Sequence, residues 1–212
     1  MNSKLILRRD LLMLITSASI LGLPVLSNAE DYSHIYSLDE ALSPRYLGSK
    51  EAPLQLVEFV SMTCSHCADF HINTLPLLKE KYIKNGLLRV EMRDFPLDGL
   101  ALRAAAMARL ADPKKYYKLI DILFKNQESW SRTNNPIEEL QKIGRLAGLN
   151  NKKLEASVNS MPLLEGIFQM RQTAEKRWKI QSTPSFVIND EIMISGSLPL
   201  KEFEDVFKKY KS

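Results

Sequence analysis

Cysteine is scarce in this chain of 212 residues: there are two, Cys64 and Cys67, three positions apart. So few exclude a framework of structural disulfides, and a bridge between these two closes too small a loop to constrain the unfolded chain much. Histidine is scarce too, with three in the chain and no second Cys or His pair to complete an ordinary zinc set. Haem attachment is excluded because Ala68, not histidine, follows Cys67. Charge of one sign is missing as well: the formal net charge is +4, and basic residues are interspersed with acidic ones, which excludes a nucleic-acid surface. A spanning helix needs about 20 apolar residues, whereas the N-terminal apolar stretch, Leu11 to Leu23, has thirteen and is closed by Pro24.

What is present at the N-terminus has the three parts of an export signal. Lys4, Arg8 and Arg9 form a basic start, the apolar stretch follows, and Ser27-Asn28-Ala29 supplies small residues at the positions a signal peptidase inspects. Cleavage after Ala29 is expected, an uncleaved anchor being the alternative. Arg8-Arg9 also invites a twin-arginine reading, although the flanking residues match that signal poorly, so the export route stays open. Loss of residues 1–29 leaves 26 basic against 24 acidic side chains, a net charge of +2. The full chain is 45% hydrophobic, enough to bury the core of one ordinary domain.

Residues 30–52 are polar and weakly patterned, with Pro44 and Gly48 as breakers, and read as a leader on the domain surface. Leu54 to Val60 is a short, largely apolar run, as expected for a strand covered on both faces. From Cys64 the period changes: Ala68, Ile72, Leu75, Leu78 and Tyr82 make one apolar helical stripe, and Pro76 should kink that helix near Ile72. After Asn85-Gly86, Leu88, Val90 and Met92 alternate with charged residues as a second strand, completing a βαβ unit. Residues 98–178 read as helices almost throughout, with starts at Asn135-Pro136 and Asn150-Asn151 and a last helix from Leu163 to Trp178. Ser185 to Ile188 and Ile192 to Ile194 flank Asn189-Asp190-Glu191, a hairpin signal. Ser197 should cap a final helix carrying Phe203, Val206, Phe207 and Tyr210 on one face.

Chemistry concentrates at Cys64-Ser65-His66-Cys67, where strand meets helix. Unpaired N–H groups and the dipole at a helix N-terminus favour an anion, which lowers the pKa of the Cys64 thiol and makes it a nucleophile. His66 can add a positive charge or a donor toward that sulfur in the reduced state, and a stabilised reduced state makes the disulfide a stronger oxidant. Cys67, one turn further in, should be less exposed and act as the resolving thiol. A metal site drawing on Cys64, Cys67 and His71 is the alternative, with His34 in the leader; His71 otherwise reads as a partly exposed helix residue. Met62, Phe70, Met161, Leu163 and Met170 could line an apolar substrate surface, but methionines at helical spacing more often belong to the core.

The run Val57-Glu58-Phe59-Val60-Ser61-Met62-Thr63-Cys64-Ser65-His66-Cys67-Ala68 resembles the active-site segment of DsbA-like thiol:disulfide oxidoreductases, with Ser65 in place of the usual proline. That resemblance spans most of residues 50–210 and implies an α/β thioredoxin fold, β-α-β and β-β-α, formed by 53–97 and 179–212 around an all-helical insertion at 98–178. It implies further a cis Thr183–Pro184 bond opposite Cys64, with Thr183 backbone pairing to an extended substrate; the bland account of Thr183-Pro184 is a helix stop. Glu58 falls at the family's buried acid, where a desolvated carboxyl with a raised pKa could accept the proton of Cys67; a solvent-facing glutamate is the alternative. The expected protein oxidises reduced exported proteins in the periplasm as a monomer without cofactor. A DsbB-like, or DsbD-like, inner-membrane protein would restore its redox state. An isomerase or reductase on the same scaffold is the nearer rival, suggested by threonine before the proline, and a periplasmic metal-binding protein the more distant one.

Overall fold

The computed structural model describes residues 31–210. The expected export segment, residues 1–29, lies outside them. Among the described residues no helix is long and apolar enough to cross a membrane.

A five-stranded sheet in the order β1-β3-β2-β4-β5 forms the centre of the molecule. Its strands are β1 (Arg45–Leu47), β2 (Leu54–Val60), β3 (Leu88–Asp94), β4 (Ser185–Ile188) and β5 (Ile192–Ser195). Strands β2 and β3 run parallel, as the βαβ reading requires, and every other pairing is antiparallel. Asn189 and Asp190 both have positive φ, 48° and 63°, the conformation that turns a tight hairpin with the sheet's own twist. Helix α1 (Leu38–Leu42) and β1 correct the reading of residues 30–52 as a surface leader, because β1 pairs with β3 and forms the sheet edge. A three-residue strand is too short to show a period.

Between β2 and β3 the chain is helical from Ser65 to Ile83: α2 (Ser65–Asp69), a wide i→i+5 turn over Phe70–Thr74, α3 (Leu75–Leu78) and a second wide turn over Lys79–Ile83. Pro76 has no N–H to donate, and the helix meets this constraint with the wide turn just before it rather than with a break. Ile72, expected inside, is 43% exposed, whereas His71, expected partly exposed, is 4% exposed. Apolar pattern assigns an imidazole to solvent; here a buried acid beneath the helix compensates its desolvation, so His71 takes the inward place.

Between β3 and β4 lie α4 (Gly99–Arg109), α5 (Tyr116–Lys125), α6 (Gln127–Ser131), α7 (Pro136–Leu146), α8 (Asn151–Asn159) and α9 (Met161–Trp178). They bury one large cluster against Val60, Met62, Cys67 and Met92. On the same face of the sheet, toward its other end, Leu54, Leu56, Phe70, Leu75 and Phe186 pack against Phe203 and Phe207 of α10 (Leu200–Phe207), while Phe59 and Val187 on the opposite face pack with Ala174 and Trp178 of α9. Pro199 occupies the N-cap of α10, not Ser197, whose hydroxyl donates to Asp69 at 2.7 Å.

One buried ion pair ties the N-terminal segment to this frame. Arg109, at the end of α4, donates to Asp94 of β3 and to the carbonyls of Ala41 (2.9 Å) and Ser43 (3.2 Å). Removing one partner of such a pair leaves a buried charge uncompensated and costs about 3–5 kcal/mol. Arg109→Met is expected to destabilise the fold by that amount in chemical denaturation, and a loss below ~1 kcal/mol would contradict the assignment.

Candidate active site

Strand β2 ends at Val60, and Ser61-Met62-Thr63 turns the chain so that Cys64 becomes the N-cap of α2, with extended backbone (φ −80°, ψ 120°). Two side chains from the helical segment, Gln127 and Asp98, fix this turn. Gln127 Nε2 donates to the carbonyls of Met62 (2.9 Å) and Cys64 (3.0 Å), while the Thr63 hydroxyl donates to Asp98 Oδ2 at 2.6 Å. Asp98 is in turn the N-cap of α4, its Oδ1 accepting from Ala101 N–H at 2.7 Å. The redox pair is thus anchored to the start of two other helices, which limits how far its sulfur can wander.

Both cysteines are thiols in this structure, Cys64 half-buried and Cys67 fully buried. Their acidities are driven apart. The Cys64 thiol falls from its ordinary 9.0 to about 5, chiefly because the Cys67 thiol donates a hydrogen bond to its sulfur; burial opposes this, and the Thr183 side chain and the backbone N–H groups of Cys67 and His66 assist it. In the protonated form the sulfur caps no N–H of its helix, and Thr183 Oγ1 is buried without a partner. Those donors therefore find their acceptor when the sulfur ionises. Cys67 moves the other way, raised first by burial, then by the hydrogen bond and charge of Cys64, and by the charge of Glu58.

His66 stands next to the pair with its side chain exposed. It acts on the Cys64 sulfur through its backbone N–H, while its imidazole charge is felt at Asp69. The contribution of His66 to the Cys64 sulfur that the geometry shows is that of its backbone, at the start of the helix.

Across the site, the Thr183–Pro184 bond is cis, and the Thr183 carbonyl accepts from the Cys64 thiol at 3.3 Å. Glu58, in the middle of β2, is fully buried, so the solvent-facing alternative falls. Its two carboxylate oxygens each lie 3.1 Å from His71 Nε2. That contact takes the nitrogen a metal site would need, and among the described residues no group of three acidic, Cys or His side chains could hold a metal ion. Of the apolar candidates, Met62, Phe70 and Leu163 belong to the core, Met161 is exposed and Met170 half-buried. Sequence reasoning missed Gln127 and Asp98, which carry no local signal because the fold alone brings them to the turn. It misjudged His71, although the four-residue spacing from Cys67 was visible.

A family model described as Thioredoxin matches residues 40–209. The chain belongs to this thioredoxin family. A crystal structure of alpha-DsbA1 from Wolbachia pipientis superposes with a TM-score of 0.73 at 29% identity, covering 79% of this chain and 90% of that one. A protein-disulfide oxidoreductase of Rickettsia typhi is 32% identical over 144 residues, 68% of this chain and 53% of the relative. Disulfide bond formation protein D of Bacillus cereus is 25% identical over 170 residues, covering 76% and 74%. This thioredoxin-family chain therefore resembles the DsbA branch in sequence and in fold, and it spans about half the length of the curated rickettsial relatives it matches.

The lowered pKa of Cys64 has a signed consequence. Folding favours the thiolate, so the reduced protein gains stability as pH rises from about 5 toward 9.0 and loses it as pH falls through about 5. Thiolate absorbance of the reduced protein should titrate with a midpoint near 5, and the pH dependence of its melting temperature should flatten in Cys64→Ala. A midpoint near the ~8.5 of free cysteine would contradict the described site.

Proposed function

We propose that this chain is an exported thiol:disulfide oxidoreductase that introduces disulfides into reduced proteins through its Cys64–Cys67 pair. The observation that carries the reading is the opposed acidity of the two sulfurs: a half-buried one held ionised at a helix start, and a fully buried one held protonated behind it. In the oxidised form a substrate thiolate attacks Cys64 Sγ, and the Cys64–Cys67 bond breaks with its electron pair on Cys67, which takes up a proton. A second substrate thiolate then attacks the substrate sulfur of the mixed disulfide, expelling Cys64 as the stabilised thiolate. A good leaving group is a weak base, and the Cys64 thiolate is the weaker base of the pair, so its release favours the oxidised substrate.

In this reading Thr183 and Pro184 form the substrate edge: the Thr183 carbonyl lies within 3.3 Å of the Cys64 sulfur, so an extended peptide paired to that backbone carries its own sulfur to the reacting atom. Glu58, buried and felt by Cys67, serves as proton acceptor or donor for the resolving thiol. The helical insertion, residues 98–178, acts as a unit that buttresses the reactive turn through Gln127 and Asp98. His66 contributes by its backbone. Export to the periplasm, with cleavage after Ala29, and reoxidation by a DsbB-like membrane partner complete the proposal; they rest on the N-terminal sequence pattern and on the family.

A second reading, a reductase or isomerase recharged by a DsbD-like partner, is favoured by one observation, the Thr183 side chain at the sulfur. The two directions separate in one assay. The oxidised protein is expected to convert a reduced two-thiol peptide to its disulfide, with Cys64→Ser and Cys67→Ser both inactive because neither can hold the exchanging disulfide. Failure to oxidise the peptide, together with rapid reduction of insulin by the reduced protein, would move the assignment to the second reading.

A further inference from the structure

The Glu58–His71 pair is left unexplained by the exchange itself. Glu58 sits in β2 with Met92 of β3 and Phe186 of β4 as its register neighbours, so neither adjoining strand offers its carboxylate a charged partner. Both of its hydrogen bonds go to one atom, His71 Nε2, with 3.1 Å to each oxygen. Two equal distances are the mark of an N–H aimed between two carboxylate oxygens; a carboxyl hydroxyl donating to the ring would bring one oxygen closer than the other. Among the described residues, His71 Nδ1 is buried without a partner, and the ring's polar contact is with Glu58. Phe124 of α5 lies against the ring at 4.4 Å between centroids and Phe70 meets it edge-on at 5.7 Å, so packing fixes its orientation. Cys67, four residues before His71 and so on the same helical face, is the buried sulfur that feels the Glu58 charge.

We propose that His71 is a positioning residue for the resolving thiol: its Nε2–H holds the Glu58 carboxylate in place beside Cys67, so that the carboxylate exchanges a proton with Cys67 during disulfide exchange. The inference rests on the exchange chemistry proposed for Cys64 and Cys67. When the reduced protein resolves a mixed disulfide on Cys64, the Cys67 S–H proton passes to a Glu58 oxygen. The freed electron pair of Cys67 forms the bond to Cys64 Sγ, and the bond from Cys64 to the outer sulfur breaks, its electrons leaving with that sulfur as a thiolate. In the oxidising direction every transfer runs in reverse. The imidazole gains and loses nothing; it keeps one of the two oxygens occupied and the carboxylate plane fixed. A carboxylate left to rotate, or to be rehydrated, would meet the Cys67 proton in the wrong geometry, and proton transfer in place contributes roughly 10²–10⁴-fold to such steps.

Stopped-flow mixing of the reduced full chain with an aromatic disulfide reagent, dithiobis-nitrobenzoate, reads the two halves separately. The first aryl thiolate is released by Cys64 attack and the second by Cys67 attack. His71→Asn keeps a polar side chain but carries its N–H near the Nδ1 position, out of line with Glu58; the second phase should slow roughly 10- to 100-fold with the first phase unchanged. His71→Gln places an amide N–H near the Nε2 position and should restore the second phase to within about threefold of the native rate. Glu58→Gln, which keeps the contact with the ring but cannot take up a proton, should reproduce the slow second phase and serves where His71→Asn does not fold. A native second phase in His71→Asn or in Glu58→Gln, a His71→Gln rate as slow as that of His71→Asn, or equal slowing of both phases overturns the proposal. No first phase in the native chain would instead refute the exchange reading and leave His71 out of the matter.

Discussion

One sulfur atom at the start of one helix sets the conditions for the rest of the molecule. Cys64 Sγ occupies the N-cap of α2, where the thiol of Cys67 and the backbone N–H groups of Cys67 and His66 favour its anion. None of these donors is a charged side chain. The stabilisation comes from the partner cysteine, the Thr183 side chain and the backbone, and its largest part lasts only in the reduced state, when Cys67 still has a proton to donate. Oxidation removes both the anion and its principal donor together, and this asymmetry is the source of any tendency of the disulfide to be reduced.

The surrounding structure serves to keep that atom at the cap while leaving one side of it reachable. Strand β2 delivers the chain to the turn, Gln127 and Asp98 grip the turn from the helical segment, and the Thr183 carbonyl faces the sulfur from the other side. Deeper in, Cys67 is packed in the same cluster as Val60, Met62 and Met92, which excludes the water its own thiolate would need. Exposure and acidity thus change together over one helical turn, from an attackable sulfur to a withheld one. The buried acid of β2 and the ring that holds it lie below this gradient, in contact with aromatic side chains from both the helix and the insertion.

Much of this frame was legible before any coordinates. The alternation at Leu88, Val90 and Met92, the apolar run at Leu54 to Val60 and the Asn189-Asp190 turn each obey a local rule, and each forms as read. The resemblance carried what local rules cannot, namely the pairing of Thr183-Pro184 with Cys64 across the fold. The misreadings share a cause. Burial of His71 depends on Glu58, thirteen residues earlier in the chain, and the edge strand Arg45–Leu47 depends on β3; neither partner is visible in a window of one turn or one strand. Gln127 is the same case at greater distance, an amide recruited to two carbonyls by tertiary packing alone.

The direct measure of the central claim is the reduction potential of the Cys64–Cys67 pair, read by equilibrating the protein with glutathione buffers and quantifying the thiols by mass shift. A strongly favoured Cys64 thiolate predicts an oxidising couple, near the ~−120 mV of strong oxidants. A value near the ~−270 mV of thioredoxin-type reductants would mean that the reduced state gains little from the helix start, and the account would fail at its root.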